Sequence, residues 1–301
     1  MVDERKARRE RQRRQIRRRR LLALGALVIA VVAIGLVVST SGGGDGGRAS
    51  TRGKGQRSTA SQSGGSGSTE VRNATPQPDW TPYTGPVPIL EYHVLGAAPA
   101  DEPYPDLYVS RPDFHKQMNW LDEHGYEAVT LEQVEEAWYS HGTLPPKPVV
   151  ISFDDGYRPQ FTYALPELRR HGWAGVLNLK AEGSDLYPSN IEAMIAAGWE
   201  IAAHTIHHLD LTELEGPQLK EEVAGSRHIL QREYGVPVDN FCYPAGRFDT
   251  AVITAVEAAG YRGATTEIHG YANRDHPYKL DRFEILGSEG VSGLAADLSE
   301  G

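Results

Sequence analysis

The chain has 301 residues and a single cysteine, Cys242. That length holds one large domain or two small ones, and one thiol excludes an intrachain disulfide and a cysteine-based zinc framework. The formal net charge is −9, yet residues 1–20 carry 11 Lys/Arg against 3 Asp/Glu, so a tip of +8 precedes a body of −17, a distribution that argues against nucleic acid as a partner.

Leu21 to Val38 is an unbroken run of Leu, Ala, Gly, Val and Ile. As a helix its eighteen residues span roughly 27 Å, enough to cross a hydrocarbon core. The Arg-rich flank predicts a cytoplasmic N-terminus, with residues 1–20 as a basic tip, 21–38 as an uncleaved membrane anchor and the rest extracytoplasmic. A cleaved signal peptide fits less well, because the apolar run is long and no Ala-x-Ala follows it. Residues 41–70 contain 20 Gly, Ser or Thr, and prolines follow at Pro76, Pro78 and Pro82. This composition predicts a flexible linker over 39–85, with an r.m.s. reach of ~35–40 Å. Asn73-Ala74-Thr75 matches a glycosylation sequon, a short and weak signal.

From residue 86 to 301 strand and helix signals alternate. Pro88–Val94 reads as a strand. Ser110-Arg111-Pro112 opens a helix that runs to His124-Gly125. A short strand at 128–130 and a helix over Leu131–Ser140 precede the buried strand Val149–Phe153. Helix 158–171 follows, closed by Gly172. Strands are predicted at 175–179, 199–203, 241–243, 263–265 and 280–286, and helices at 191–197, 219–234 and 250–259. About seven strands separated by helices predict an α/β fold, either a parallel barrel or a doubly wound sheet. In a barrel the reactive residues gather where strands end.

Two such ends stand out. Val149–Phe153 stops in Asp154-Asp155-Gly156, and about fifty residues later comes His204-Thr205-Ile206-His207-His208. Gly156 permits a turn that lets two adjacent carboxylates serve different roles. One carboxylate with two neutral imidazoles gives three ligands and leaves a position for water, as a catalytic zinc site requires. The second carboxylate can act as a general base. Spacing alone leaves His207 open as a ligand. Trp138, Trp173 and Trp199 read as core residues first and as sugar platforms second.

Ser152-Phe153-Asp154-Asp155-Gly156 together with His204-Thr205-x-x-His208 resembles the polysaccharide deacetylase family, related to chitooligosaccharide deacetylases, over roughly residues 86–290. The resemblance implies a distorted (β/α) barrel that removes N- or O-acetyl groups from sugars, and the expected substrate is an N-acetylhexosamine polymer of wall, capsule or exopolysaccharide. It implies one divalent metal ion, zinc with cobalt or nickel as alternatives, held by Asp155, His204 and His208, with Asp154 as base. The third motif departs from the family's Phe-Arg-Pro-Pro-Tyr-Gly, reading Phe241-Cys242-Tyr243-Pro244-Ala245-Gly246. Ala245 still offers a backbone N–H for an oxyanion, and Arg282 is the candidate to orient Asp154 in place of the missing arginine. No late Leu-x-His follows. Leu90-Glu91-Tyr92-His93 on the first strand instead resembles the permuted poly-N-acetylglucosamine deacetylases, which makes His93 the expected general acid. An O-acetyl esterase and an inactive glycan-binding module are the alternative readings.

Overall fold

The computed structural model describes residues 71–299. Residues 1–70, with the expected tip, anchor and most of the linker, lie outside the described residues. Among the described residues no helix is long and apolar enough to cross a membrane.

The centre is a curled parallel sheet of eight strands: β1 (Ile89–Tyr92), β2 (Glu127–Val129), β3 (Pro148–Asp154), β4 (Val176–Leu179), β5 (Glu200–Ala203), β6 (Asn240–Cys242), β7 (Gly263–Thr265) and β8 (Phe283–Glu284). Their order is β7-β6-β5-β4-β3-β1-β8, while β2 pairs with the first half of β3. Leu280 bridges to Thr265 and Phe283 pairs with Leu90, so one short segment touches both ends of the sheet and gives it a half-barrel form. All seven residues of β3 are buried, the pattern of a strand covered on both faces. Phe153 lies between Tyr92 and Trp199, with ring centroids 5.6 and 5.2 Å away, and truncating it to Ala would cost roughly 3–5 kcal/mol.

Among the described residues eight α-helical segments flank this sheet: α1 (Arg111–Glu123), α2 (Leu131–Tyr139), α3 (Leu165–His171), α4 (Pro188–Ala196), α5 (Gly216–Lys220), α6 (Ser226–Tyr234), α7 (Thr250–Ala258) and α8 (Gly290–Leu298). Local chemistry sets their ends. Ser110 caps α1 by accepting from the Asp113 N–H, Thr130 and Gln133 form a capping box on α2, and Gly172 closes α3 at φ 75°. Two helices expected to be regular contain π-turns, Gln160–Ala164 before α3 and Glu221–Gly225 between α5 and α6. Helix α8 has no counterpart among the sequence expectations, and the strand expected over 280–286 shortens to Phe283–Glu284.

The expected linker ends earlier than residue 85. The Asn73 N–H donates to Gly172 O at 2.8 Å, its amide donates to Ala128 O at 3.1 Å, and Gln133 donates back to Asn73 O. Trp80 is buried, and Thr81–Pro82 pairs antiparallel with Thr143–Leu144. Residues 71–85 are thus a strap on the body, held by specific side-chain bonds that composition does not reveal. The sequon asparagine is fully buried, so a glycan there would break its bonds to Glu127 and Ala128. Trp138, Trp173 and Trp199 are all buried, which settles them as core.

Candidate active site

Because the strands run parallel, their C-terminal ends share one mouth. Asp154 is the last residue of β3 and points into the half-barrel, 2% exposed. Arg282, fully buried, grips it with both terminal nitrogens at 2.9 Å, and the Asn178 amide donates to it at 2.7 Å. The Cys242 thiol, at the position of the family's arginine, lies 3.4 Å from Oδ2. Arg282 is itself fixed by donating to Thr266 O and Ser152 Oγ. Burial alone would raise the Asp154 pKa, but the Arg282 guanidinium overrides it and holds the carboxyl well below the usual range. A bidentate, charge-assisted pair also sets the plane of the carboxylate.

Asp155 turns away from its neighbour. Its φ of 74° puts it in the left-handed region, and its N–H donates to Asn178 O at 3.1 Å. A Cβ at the next residue, Gly156, would fall 2.4 Å from Ser184 Oγ, so only glycine fits this exit turn. The Asp155 Oδ1 lies 3.9 Å from His204 Nε2 and 3.6 Å from His208 Nε2. A tetrahedral ion at ~2.0–2.1 Å from each donor sets ligand spacings of roughly 3.4 Å, so the set fits a divalent ion after a small contraction. His204 Nδ1 donates to Cys242 O at 2.8 Å, which aims Nε2 at the site. Burial and the neighbouring His204 push the His208 pKa down to about 4, leaving the neutral imidazole a metal needs. Burial would raise Asp155, but His208 and His204 bring it to about 2. Lys180 Nζ stands 3.6 Å from the same oxygen.

The 204–208 segment is a tight loop, with Thr205 at φ 65° and His208 at φ 59°. Ala245, in the Tyr243–Gly246 turn, has φ 51°. Four of the five non-glycine residues with positive φ among the described residues therefore lie here. Each such conformation costs on the order of 1–3 kcal/mol and persists only where the surroundings enforce it. His207 points away. Its Nδ1 donates to Glu222 at 2.6 Å and its Nε2 lies 3.3 Å from Glu182, and the bond to Glu222 raises its pKa.

His93 follows β1, is nearly buried, and is close enough to lower the pKa of both Asp154 and Asp155. Its Nε2 is 3.7 Å from Glu91 Oε1. Gln160, on the first π-turn, donates to both His93 O (3.0 Å) and Asp154 O (2.6 Å), tying the two strand ends together. The structure thus assembles Asp154, Asp155, His204, His208, His93 and Arg282 at one mouth, with the Ala245 turn after neighbouring β6. Sequence reasoning missed Asn178, Gln160, Glu222 and Glu91. Asn178 left a signal, a lone polar residue within an apolar strand, and Glu91 stood two positions before His93 in the first strand; Gln160 and Glu222 on their helices left none.

Comparisons with known proteins bear on the family and the fold. The polysaccharide deacetylase family pattern matches residues 141–264. YxkH of Bacillus subtilis (strain 168), a protein named for polysaccharide deacetylase activity, is 30% identical over 214 residues, covering 69% of this chain and 74% of that protein. The poly-beta-1,6-N-acetyl-D-glucosamine N-deacetylase of Escherichia coli (strain K12) is 36% identical over 95 residues, 32% of this chain but only 14% of that protein. The Streptococcus pyogenes deacetylase PplD, solved in complex with acetate, superposes with a TM-score of 0.65 at 22% identity, covering 71% of this chain and 99% of PplD, a likeness of fold.

Proposed function

Because the chain belongs to the polysaccharide deacetylase family, we propose that this mouth removes acetyl groups from an N-acetylhexosamine polymer of wall, capsule or exopolysaccharide. One arrangement carries the reading: a carboxylate locked in the ionised state by Arg282 beside a separate Asp155/His204/His208 donor set. A divalent ion held by those three residues, zinc being the best match to two imidazoles and a carboxylate, would polarise the acetyl carbonyl and acidify a water. Asp154 takes the proton of the attacking water, and Arg282 keeps its oxygens in a fixed plane for that transfer. The Ala245 N–H is the candidate donor to the negative charge that develops on the carbonyl oxygen. His93 delivers a proton to the leaving amine, which departs poorly without one. The name of the Escherichia coli relative supports N-acetylglucosamine as the sugar.

The test is acetate release by the full-length chain from N-acetylglucosamine polymers and from O-acetylated glycans, with and without chelator. We expect zinc-restored release from the N-acetyl polymers. His93→Ala should lose most amide hydrolysis while keeping much of the hydrolysis of an activated ester, whose leaving group needs no proton. Release only from O-acetyl glycans would make the protein an esterase, and no release from any of them would favour a binding module. The run Leu21 to Val38 with its basic flank also supports an anchored, extracytoplasmic enzyme. Protease added to cells with a permeable envelope should then free the body, and protection until membrane lysis would reverse this orientation.

A further inference from the structure

The loop that carries two metal donors holds three imidazoles in five positions, so something outside the loop must decide which two face Asp155. The loop's own bonds do not suffice. Thr205 Oγ1 accepts from the His208 N–H at 2.8 Å, and Ala181 and Glu182 donate to Thr205 O and Ile206 O at 3.0 and 3.1 Å. These bonds hold the carbonyl side of the turn. The opposite side presents two successive N–H groups, those of Ile206 and His207, and both donate to Glu222 Oε2 at 3.0 Å. The second Glu222 oxygen accepts from His207 Nδ1 at 2.6 Å. Glu222 is only 5% exposed and sits on the π-turn between α5 and α6. Gly225 on that turn lies so close to the loop that a Cβ there would stand 3.0 Å from Ile206 Cδ1.

We propose that Glu222 is a positioning residue of the metal centre: its carboxylate fixes the 205–208 turn so that His204 and His208 face Asp155, and it selects against His207 by holding that ring outside the set. The proposal rests on the metal-site reading above and deepens it. One carboxylate does two jobs because its two oxygens point to different partners. Removing it leaves two adjacent N–H groups, that of the buried Ile206 among them, without their acceptor and loosens a third imidazole, then held only by Glu182, next to two ligands. Both changes loosen the donor set without touching a donor.

The test uses the full-length chain and reads zinc Kd by chelator competition, together with the visible spectrum of the cobalt-loaded protein. The variants are Glu222→Ala, Glu222→Gln and His207→Ala. Glu222→Ala should raise Kd by roughly 10–100-fold, the usual effect of losing a partner behind the ligands, and should alter the cobalt spectrum. Glu222→Gln keeps an oxygen for the two N–H groups but is a weaker acceptor than a carboxylate, so its Kd should rise by less. His207→Ala should keep a Kd near the wild-type value and the wild-type cobalt spectrum. If Glu222→Ala fails to fold, Glu222→Gln carries the test, and a wild-type Kd and spectrum in that variant would overturn the proposal. Loss of zinc in His207→Ala would overturn it as well, by making that ring a ligand. A wild-type protein that binds no zinc would instead overturn the metal-site reading itself.

Discussion

The half-barrel buries carboxyl groups at both of its ends, and the two aspartates of the mouth stand in the opposite electrical state from the glutamates at the far end. At the mouth, Asp154 and Asp155 are held below their ordinary values because Arg282 and two imidazoles face them. At the opposite end, Glu135 of α2 meets Glu200 at the start of β5 and Asn240 at the start of β6. There the partly exposed Arg262 stands 3.4 Å from Glu135. Burial, reinforced by the Glu200 charge, pushes Glu135 up to about 8, and burial lifts Glu200 to about 7. The same chemical group is kept ionised where cations outweigh burial, as at Asp154 and Asp155, and pushed toward the neutral form where burial wins, as at Glu135 and Glu200 and also at Glu91, which burial raises despite Arg282 3.3 Å away. A general base has to be ionised at working pH, so the mouth is the end equipped for proton abstraction.

Three substitutions would break or sharpen this contrast. The largest effect belongs to Asp154→Asn, which keeps the shape and removes the charge. Turnover should fall roughly 10²–10⁴-fold with metal content unchanged, whereas Glu135→Gln at the other end should leave turnover intact. Near-full activity in Asp154→Asn would show that the ionised state of the mouth serves no proton transfer. Next comes Arg282→Leu. It strands a buried carboxylate, at a cost of about 3–5 kcal/mol in unfolding free energy. The double variant with Asp154→Leu should recover much of that loss, and an unfolding midpoint unchanged by Arg282→Leu alone would mean the pair is not what holds the interior. The smallest effect is a slope. Glu135 has a folded pKa near 8 against an ordinary 4.5. Its contribution to stability is therefore fully present below about 4.5 and is lost as pH rises through about 8. Melting temperature compared between pH 5 and 9 should fall more in the wild type than in Glu135→Gln, and parallel curves would place Glu135 among ordinary carboxylates.

The sequence disclosed the parts of the site that are local. Asp154-Asp155-Gly156 and the histidine loop are short motifs at strand ends, so both the residues and their neighbourhood could be read directly. The pairing of Arg282 with Asp154 spans 128 positions and depends on a strand whose regular part is only two residues long. Resemblance nominated the residue, but only the closed geometry shows it bidentate. The choice between His207 and His208 depends on Glu222, fifteen positions beyond His207 on another element. The helices and strands were legible because apolar periodicity and caps fix them. The strap at 71–85 was not, because its order comes from Asn73 and Trp80 meeting distant partners while its prolines mimic a linker.

The two π-turns give the mouth a mechanical character of its own. Each carries one buried amide or carboxylate that reaches into the site, Gln160 onto the backbone of His93 and Asp154, Glu222 onto the histidine loop. A π-turn is an uncommon, single-turn interruption of the α-helical ladder, and local opening begins where the ladder is weakest. In these two helices the break in the ladder and the anchor of the reactive groups therefore fall in the same turns. Heating should unlatch the reactive centre while the sheet behind it is still intact, so inactivation and unfolding are two events rather than one.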